Sequence, residues 1–277
     1  MTTIEQPTLE AGSRTDVGLR RRLNEDSLLV AHPIYVVADG MGGHDAGDRA
    51  SAAVVEAFRP LAGAEHLDTV GVAAAIERAH DAVRLIADGT QRGAGSTLVM
   101  AGVVQVGGRA HWIVAHVGDS RAYRLREGVL EQLTVDHSLV QELIDSGQLA
   151  LDEVEAFGSR NVITRAIGAD GSAADFALQP IVTGDRLILC SDGLHSEIDD
   201  AHIAQIAAAA QTAQIAADRL LDAAIAAGGR DNVTVLVVDA LAGGAAAWLD
   251  DETAVGGSTS GDADLDEDTL ERPRRAR

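Results

Sequence analysis

The feature that most constrains this chain is an apolar segment, residues 34–38, that ends at Asp39 and Gly40. A short run rich in Val and Ile that stops at Asp-Gly is typical of a buried strand followed by a tight turn. Such a strand places a carboxylate at the edge of the core, where an unpaired charge is costly to desolvate. A hard cation would offset that cost. Gly40 has no side chain, so its carbonyl oxygen can approach a ligand closely.

Four further strand-like segments begin or end at acidic residues, which distinguishes the pattern from an isolated turn signal. The acidic residues of these segments are Glu25 with Asp26, Asp119, Asp192 and Asp231. Carboxylates without nearby basic partners repel one another when they converge, so a common meeting point of these strand ends would imply bound cations. Because all the candidate ligands are oxygen atoms, the expected cation is Mg²⁺ or Mn²⁺ and not zinc.

The balance of charge excludes two classes of partner. The formal net charge is −21 at pH 7 and the pI is about 4.6, which argues against binding to nucleic acid or to an anionic membrane. No apolar run is long enough to cross a membrane, no signal-peptide pattern is visible, and the single cysteine, Cys190, cannot form an intramolecular disulfide. We therefore expect a cytoplasmic protein, and a monomer.

The periodicity of apolar residues predicts an alternation of strands and helices. Strands are predicted over residues 9–18, 27–38, 96–106, 110–117, 120–125, 129–133, 174–180, 185–190 and 233–239. Helices are predicted over residues 45–62, 67–91, 137–146, 199–209 and 212–227. We expect the strands between residues 96 and 125 to form an antiparallel meander, and Asp136 to cap the helix that starts at residue 137.

Six short motifs follow one another along the chain. They are Arg21 with Asn24-Glu25-Asp26-Ser27, Asp39-Gly40-Met41-Gly42-Gly43-His44, Gly95-Ser96-Thr97, Gly118-Asp119-Ser120-Arg121, Ser191-Asp192-Gly193 and Asp231-Asn232-Val233-Thr234. In their order and spacing they resemble the motifs of the metal-dependent protein phosphatases, the PPM or type 2C serine/threonine phosphatases, and in particular their bacterial branch. The resemblance covers about residues 9–240.

The resemblance implies an α+β fold, a four-layer αββα sandwich in which two antiparallel sheets lie between helix pairs. The predicted order of strands, two helices, strands, two helices and a final strand fits this architecture. The expected divisions are a flexible leader over residues 1–8, the phosphatase domain over 9–240 and an acidic disordered tail over 241–277. Within the domain, an irregular stretch at about residues 146–168 is expected to form a flap beside the site.

The resemblance also implies a site for two metal ions. Asp39 would bridge both ions, and the Gly40 carbonyl would bind one of them. Asp192 and Asp231 would bind the other ion. Asp119, together with Asp192, would bind the third, weaker ion that many bacterial relatives hold.

The remaining roles that the resemblance implies concern water and substrate. Glu25 and Asp26 would hold metal-bound waters. A bridging water whose pKa the ions lower would attack phosphorus as hydroxide, while Arg21 would neutralise the phosphoryl oxygens. Arg20 and Arg22 are so close in sequence that they remain alternatives for that arginine.

The proton donor to the leaving group is left open. Eukaryotic relatives carry a histidine directly after the Asp-Gly of the first motif, where this chain has Met41. His44 lies three residues further on, as in the bacterial branch, and either donates the proton or orders water. A metal-bound water is the alternative acid.

The function that these observations predict is Mn²⁺- or Mg²⁺-dependent hydrolysis of phosphoserine and phosphothreonine in proteins, in opposition to bacterial Ser/Thr kinases. A narrower alternative keeps the chemistry and restricts the substrate to one regulatory partner, such as an anti-sigma antagonist. An alternative of a different class is a phosphopeptide-binding scaffold with little activity. Retention of Asp39, Asp192 and Asp231 argues against the scaffold, because such clustered charge without a function only destabilises.

Overall fold

The computed structural model describes residues 6–42, 46–150, 153–154, 157 and 162–245. The strands are β1 (Thr8–Asp16), β2 (Asp26–Ala31), β3 (Ile34–Gly42), β4 (Ala94–Ser96), β5 (Leu98–Val106), β6 (Arg109–Val117), β7 (Arg121–Arg126), β8 (Val129–Gln132), β9 (Asp175–Pro180), β10 (Arg186–Cys190) and β11 (Val233–Ala242). The helices are α1 (Ala46–Phe58), α2 (Thr69–Asp88), α3 (Leu139–Asp145), α4 (Asp192–His195), α5 (Asp200–Ala209) and α6 (Ala213–Ala227). A short 3₁₀ helix, Arg59–Leu61, follows α1.

The strands form two antiparallel sheets. The first has the order β1-β11-β10-β7-β8, and the second has the order β2-β3-β5-β6-β9, with the short β4 paired to β3. The last strand, β11, therefore lies between the first strand and β10, so that residues from the two ends of the domain share one sheet.

Three apolar layers hold the sheets and helices together. One lies between the two sheets and includes Tyr35, Trp112 and Leu189. A second joins the outer face of the second sheet to α1 and α2, and a third joins the outer face of the first sheet to α4, α5 and α6. The structure therefore has the predicted αββα sandwich architecture.

The helices of the first sheet's outer layer begin and end where the sequence indicates. Asp199 and Thr212 accept backbone N–H groups at the starts of α5 and α6, as N-cap residues do. α6 ends at Gly228, directly before Gly229, which has a positive φ of 51°. This helix end leads straight to Asp231, so the cap fixes where that acidic residue lies.

Four details of the predicted elements were wrong. The chain does not turn at Asp39-Gly40, because β3 continues to Gly42 and pairs there with β4. Residues 27–38 form two strands and not one, because the chain reverses in a hairpin turn at His32-Pro33 and pairs Ala31 with Ile34. The predicted meander breaks after β6, since β7 crosses to the first sheet and pairs with β10 and β8. The helix cap is Ser138 and not Asp136, because Asp136 instead accepts a bidentate ion pair from Arg121.

The expected boundaries at residues 8 and 240 fall close to the ends of β1 and β11, which run from Thr8 and to Ala242. Much of the leader and of the tail lies outside the described residues, and so do residues 151–152, 155–156 and 158–161 of the expected flap. The domain divisions therefore stay predictions.

The strand register brings the acidic strand ends to one rim of the sandwich. Asp26 lies directly opposite Asp39 in the β2–β3 pair. In the first sheet, Cys190 at the end of β10 is paired both with Arg121 and with Val235. The segments next to these paired positions carry Asp119, Asp231 and Asp192, the last of which is the first residue of α4.

A substitution at Gly12 would test the packing of the first sheet against α6. A Cβ atom at Gly12 would lie 2.3 Å from the backbone of Gln214. We expect Gly12→Ala to push β1 and α6 apart and to lower the free energy of unfolding by about 1–3 kcal/mol in urea titrations. Gly89→Ala is the control, because its added Cβ would meet nothing closer than 3.4 Å. Equal stability of the two variants would contradict this account.

Candidate metal centre

Asp26 ties the two sheets together at the rim. Its Oδ2 atom accepts hydrogen bonds from Ser191 Oγ at 2.8 Å and from Thr234 Oγ1 at 2.7 Å, both on the first sheet's side of the site. Its Oδ1 atom is buried and has no hydrogen-bond partner among the described residues. One oxygen therefore fixes the carboxylate in place, and the other remains available to a ligand.

Asp39 is held at the rim by hydrogen bonds of its backbone. The Asp39 N–H donates to Thr97 Oγ1 at 2.9 Å, and the Thr97 N–H donates to the Asp39 carbonyl at 2.8 Å. Thr97 Oγ1 also lies 2.7 Å from Ser120 Oγ, next to Asp119. The Gly95-Ser96-Thr97 motif thus connects the β3 end to the β6 end.

Gly40 lies in a space that admits no side chain. A Cβ atom there would come within 2.0 Å of the Gly47 carbonyl and 2.7 Å of the Glu25 carbonyl. The Gly40 N–H donates to the Glu25 carbonyl at 3.1 Å. Gly47 is constrained as well, since its Cβ would lie 2.9 Å from the Gly40 carbonyl oxygen and 2.4 Å from the Glu25 Oε1 atom. Close backbone contact therefore requires glycine at both positions and places the Glu25 carboxylate beside the start of α1.

Asn232 organises the other side of the rim. Its Oδ1 atom accepts the Glu25 N–H at 2.8 Å, and its Nδ2 atom donates to the carbonyls of Val17 at 2.9 Å and Leu23 at 3.0 Å. The side chain is buried, at 4% exposure, and all three bonds reach across more than 200 positions in sequence. Asn232 therefore fixes Glu25 relative to the neighbouring Asp231.

Asp119 is positioned by two histidines. The backbone N–H of Gly118 donates to the ring atom Nδ1 of His137 at 3.1 Å. The backbone N–H of His137 donates in return to the Gly118 carbonyl at 3.0 Å. His195 Nε2 lies 3.0 Å from the Asp119 carbonyl. Burial lowers the pKa of His195 to about 4, so the ring is neutral and donates this bond. The Asp119 Oδ1 atom is buried without a hydrogen-bond partner among the described residues.

Arg21 lies at the same rim as these carboxylates. Its Nη2 atom is 2.5 Å from Asp231 Oδ2, and the two side chains are 49% and 32% exposed. Of the three arginines that the sequence left as alternatives, Arg21 is the one that makes this ion pair. Arg20 and Arg22 make none with the described residues.

The electrostatics of the rim show that its carboxylates are close together. Burial, followed by the charges of Asp26, Asp192, Asp119 and Asp231, raises the pKa of Asp39 well above its ordinary value. Burial and nearby carboxylates raise the pKa of Asp26 and of Asp119 to about 7, and that of Asp192 to about 6. In this arrangement carboxylates share a volume in which they do not all ionise without added positive charge.

These residues fit divalent cations. Asp26, Asp119 and Asp192 each have one buried Oδ1 atom without a partner among the described residues, as expected for oxygens that bind an ion or its water. The available donors are all carboxylate or carbonyl oxygens, which suits Mg²⁺ or Mn²⁺. The structure thus brings together every metal-site residue that the sequence indicated. His44 lies outside the described residues, so its role stays a prediction.

Sequence reasoning gave no role to several residues that shape the site. Asn232 and Thr234 belong to a recognised motif, yet their contacts with Glu25 and Asp26 span more than 200 positions and leave no local pattern. Gly47 was missed as well. His137 and His195 lie beside motif-bearing segments, and both contact the Gly118–Asp119 turn.

A second group of potential ligands lies beside this turn. One nitrogen each of His116 and His137 and one Asp175 oxygen lie within 4.8 Å of one another. Because His137 Nδ1 accepts the Gly118 N–H, its proton lies on Nε2, which donates to Asp175 at 3.0 Å. Arg165 also donates to Asp175, at 3.0 Å. These bonds link the Gly118–Asp119 turn to Arg165 and Asp175. They also leave His137 without a free lone pair, so this group is not suited to bind a metal ion.

Comparisons with known proteins identify the family of this chain. The family model described as "Protein phosphatase 2C" matches residues 21–227. The serine/threonine phosphatase stp of Listeria innocua is 37% identical over 246 residues, which cover 83% of this chain and 96% of that protein. No described helix is both long and apolar enough to span a membrane.

Solved structures show the same architecture. The crystal structure of the Mycobacterium tuberculosis serine/threonine phosphatase PstP/Ppp superposes with a TM-score of 0.76 at 34% identity, covering 84% of this chain and 99% of that chain. The PstP catalytic domain in complex with 2 manganese ions also gives a TM-score of 0.76, at 32% identity and with the same coverage.

The raised pKa of Asp119 predicts how the stability of the chelated protein depends on pH. The folded state binds this proton up to about pH 7, whereas an unfolded aspartate releases it near pH 4, so ionisation destabilises the fold as pH rises between them. In EDTA, Asp119→Asn should therefore gain stability over the wild type, by nothing at low pH and by roughly 4 kcal/mol above pH 7.

The difference between variant and wild type is the quantity to measure, by thermal unfolding across that pH range. Buried histidines such as His195 shift stability in the opposite direction, and the subtraction removes their contribution. A difference in stability that does not change with pH would contradict the raised pKa of Asp119.

Proposed function

Because this chain belongs to the protein phosphatase 2C family, we propose that it is a metal-dependent phosphatase that hydrolyses phosphoserine and phosphothreonine in proteins. The single observation that carries the proposal is the meeting of carboxylates from both sheets at one rim, with three buried oxygens unpartnered among the described residues and one arginine beside them. The printed names of the Listeria and Mycobacterium relatives support the same activity.

The residues that would hold two Mn²⁺ or Mg²⁺ ions are Asp39, the Gly40 carbonyl, Asp192 and Asp231. When bound, these ions supply Lewis acidity, which lowers the pKa of water and draws charge from a phosphoryl group. The bound manganese ions of the PstP catalytic domain support this assignment. Asp119 with Asp192 is the pair that we assign to a third, weaker ion.

The protein's own groups hold this arrangement and bind the substrate. Glu25 and Asp26 would orient water through their free carboxylate oxygens. Arg21 carries a half-exposed planar guanidinium, which suits bidentate contact with two phosphoryl oxygens. Its ion pair with Asp231 keeps it at the rim before substrate arrives. For the leaving group, His44 and water remain the two candidate acids.

A covalent cysteine mechanism does not fit this chain. Cys190 is the only cysteine, and it is completely buried within β10. Burial raises the pKa of its thiol to about 12, so the thiolate needed for nucleophilic attack is not formed at neutral pH. This argues against a cysteinyl-phosphate intermediate and is consistent with direct attack by water.

We further propose that the substrates are proteins phosphorylated by Ser/Thr kinases in the cytoplasm and that the phosphatase acts as a monomer. The phosphoprotein substrates follow from the activity. The kinase opposition, the compartment and the oligomeric state are parts of the proposal that the family membership makes reasonable.

The first test is hydrolysis of p-nitrophenyl phosphate and of a phosphothreonine peptide by the full chain. We expect no turnover in EDTA and recovery when Mn²⁺ or Mg²⁺ is added in excess. Activity that persists in EDTA would contradict a metal-dependent phosphatase, and absence of turnover with either metal would favour the phosphopeptide-binding scaffold.

A second test removes the carboxylate that we assign to both ions. Asp39→Asn should lower Mn²⁺-dependent turnover by at least about 100-fold, because the ions contribute several kcal/mol to the transition state. The same variant should be more stable than the wild type in EDTA, since it removes one of the repelling charges. The matched control is Asp88→Asn, which makes the same change at the exposed end of α2. Turnover of Asp39→Asn at the control's rate would refute the assignment.

A further inference from the structure

An exposed basic segment borders the candidate metal centre. It comprises residues 19–23, Leu-Arg-Arg-Arg-Leu, and is called the arginine loop below. All five residues are exposed, with Leu19 at 65% and Leu23 at 41%. Because Arg21 contacts Asp231 at 2.5 Å, the loop lies directly at the rim where the phosphoryl group of a substrate would bind.

The backbone of the arginine loop is fixed on both sides. The Leu19 N–H donates to the Gly229 carbonyl at 2.7 Å. Asn232 Nδ2 donates to the carbonyls of Val17 and Leu23, which bracket the three arginines. A loop whose backbone is already ordered loses less conformational entropy on binding than a free one. The structure therefore presents exposed side chains from a preorganised support.

Arg20 and Arg22 differ from the arginines that stabilise the fold. Arg121, Arg186 and Arg230 each form ion pairs with a carboxylate. Arg20 and Arg22 form neither an ion pair nor a side-chain hydrogen bond with any residue that the structure describes. Their guanidinium groups are thus available to a partner on both sides of the arginine assigned to phosphate.

The negative charge of the whole protein makes these two arginines a local exception on its surface. With a formal net charge of −21, the surface as a whole repels acidic segments. The basic arginine loop would instead attract acidic segments, and it lies at the rim where a phosphorylated side chain would enter. Guanidinium groups bind carboxylates bidentately, whereas they gain nothing from apolar or basic neighbours. Complementary charge of this kind sets partner choice more than overall affinity.

We infer that the arginine loop selects phosphoprotein substrates that carry Asp or Glu next to the phosphorylated residue, an inference that rests on the proposed phosphatase function. Arg21 serves the phosphoryl group, and Arg20 and Arg22 bind the acidic neighbours. The loop is therefore a specificity-determining surface for acidic phosphopeptide segments.

The test compares three phosphothreonine peptides of equal length that carry Asp, Ala or Lys around the phosphothreonine. With Mn²⁺-loaded full-length protein, kcat/KM should be about three- to tenfold higher for the Asp peptide than for the Ala peptide, since each exposed ion pair contributes modestly. The Lys peptide should be the poorest substrate. Raising the ionic strength should bring the three values together, because exposed charges are screened.

Substitutions locate the preference. Arg20→Gln with Arg22→Gln should bring the Asp-to-Ala ratio of kcat/KM close to one. The matched control is Arg109→Gln, which removes the same charge from the exposed start of β6, roughly 25 Å along the strand from the rim. The control should keep the full ratio. Each ratio is taken within one protein preparation, so differences in the active fraction cancel.

The outcomes separate this inference from the proposed function. A wild-type protein that hydrolyses all three peptides equally, or a double variant that keeps the Asp preference, would overturn the role of the arginine loop and leave the phosphatase function in place. A salt-independent preference would also overturn it. Failure of the wild type to hydrolyse any peptide would contradict the phosphatase function itself.

Discussion

Repulsion among desolvated carboxylates is the constraint on which this structure depends. Asp26, Asp39, Asp119 and Asp192 come from four different segments, and their raised pKa values record how unfavourable their joint ionisation is. No local structure would hold such groups together, so the free energy has to come from the three apolar layers of the sandwich. The stability of the domain and the affinity of its rim for divalent cations are therefore thermodynamically linked, because ions that neutralise the rim also stabilise the fold.

Neutral groups set the positions of the charged ones. Thr97 holds the backbone of Asp39, Asn232 holds that of Glu25, and His195 holds that of Asp119. Bonding the backbone in this way leaves carboxylate oxygens free for ligands, whereas a basic side chain would have occupied them. Gly40 and Gly47 complete the arrangement by allowing backbone contact that any Cβ would block. Preorganisation of Glu25, Asp39 and Asp119 is thus achieved with hydrogen bonds and small residues, whereas Asp231 is held by its ion pair with Arg21.

The sequence was sufficient for the alternation of strands and helices, because apolar periodicity is a local signal. The sandwich architecture and the set of acidic residues came from six short motifs in a family order, each of which is also readable within a few neighbouring positions. It was insufficient where a residue acts through distant contacts. Asn232 and Thr234 meet partners more than 200 positions away, and Asp136 looked like a helix cap until its ion pair with Arg121 was visible. The transfer of β7 to the other sheet was missed for a related reason, since the apolar pattern of a strand does not say which sheet it joins. The resemblance assigned the phosphate role to Arg21 and left Arg20 and Arg22 as alternatives, and among the three only Arg21 contacts Asp231.

The burial of Cys190 has a consequence for how this phosphatase behaves under oxidative stress. Peroxide reacts with thiolates, and a fully buried thiol with a pKa of about 12 offers none. Phosphatases that rely on a reactive cysteine lose activity when that residue is oxidised. The single cysteine of this chain is neither reactive nor part of the proposed site. Dephosphorylation by this protein is therefore expected to continue through an oxidative burst, so that phosphoserine and phosphothreonine signals can be switched off while cysteine-dependent pathways are silent.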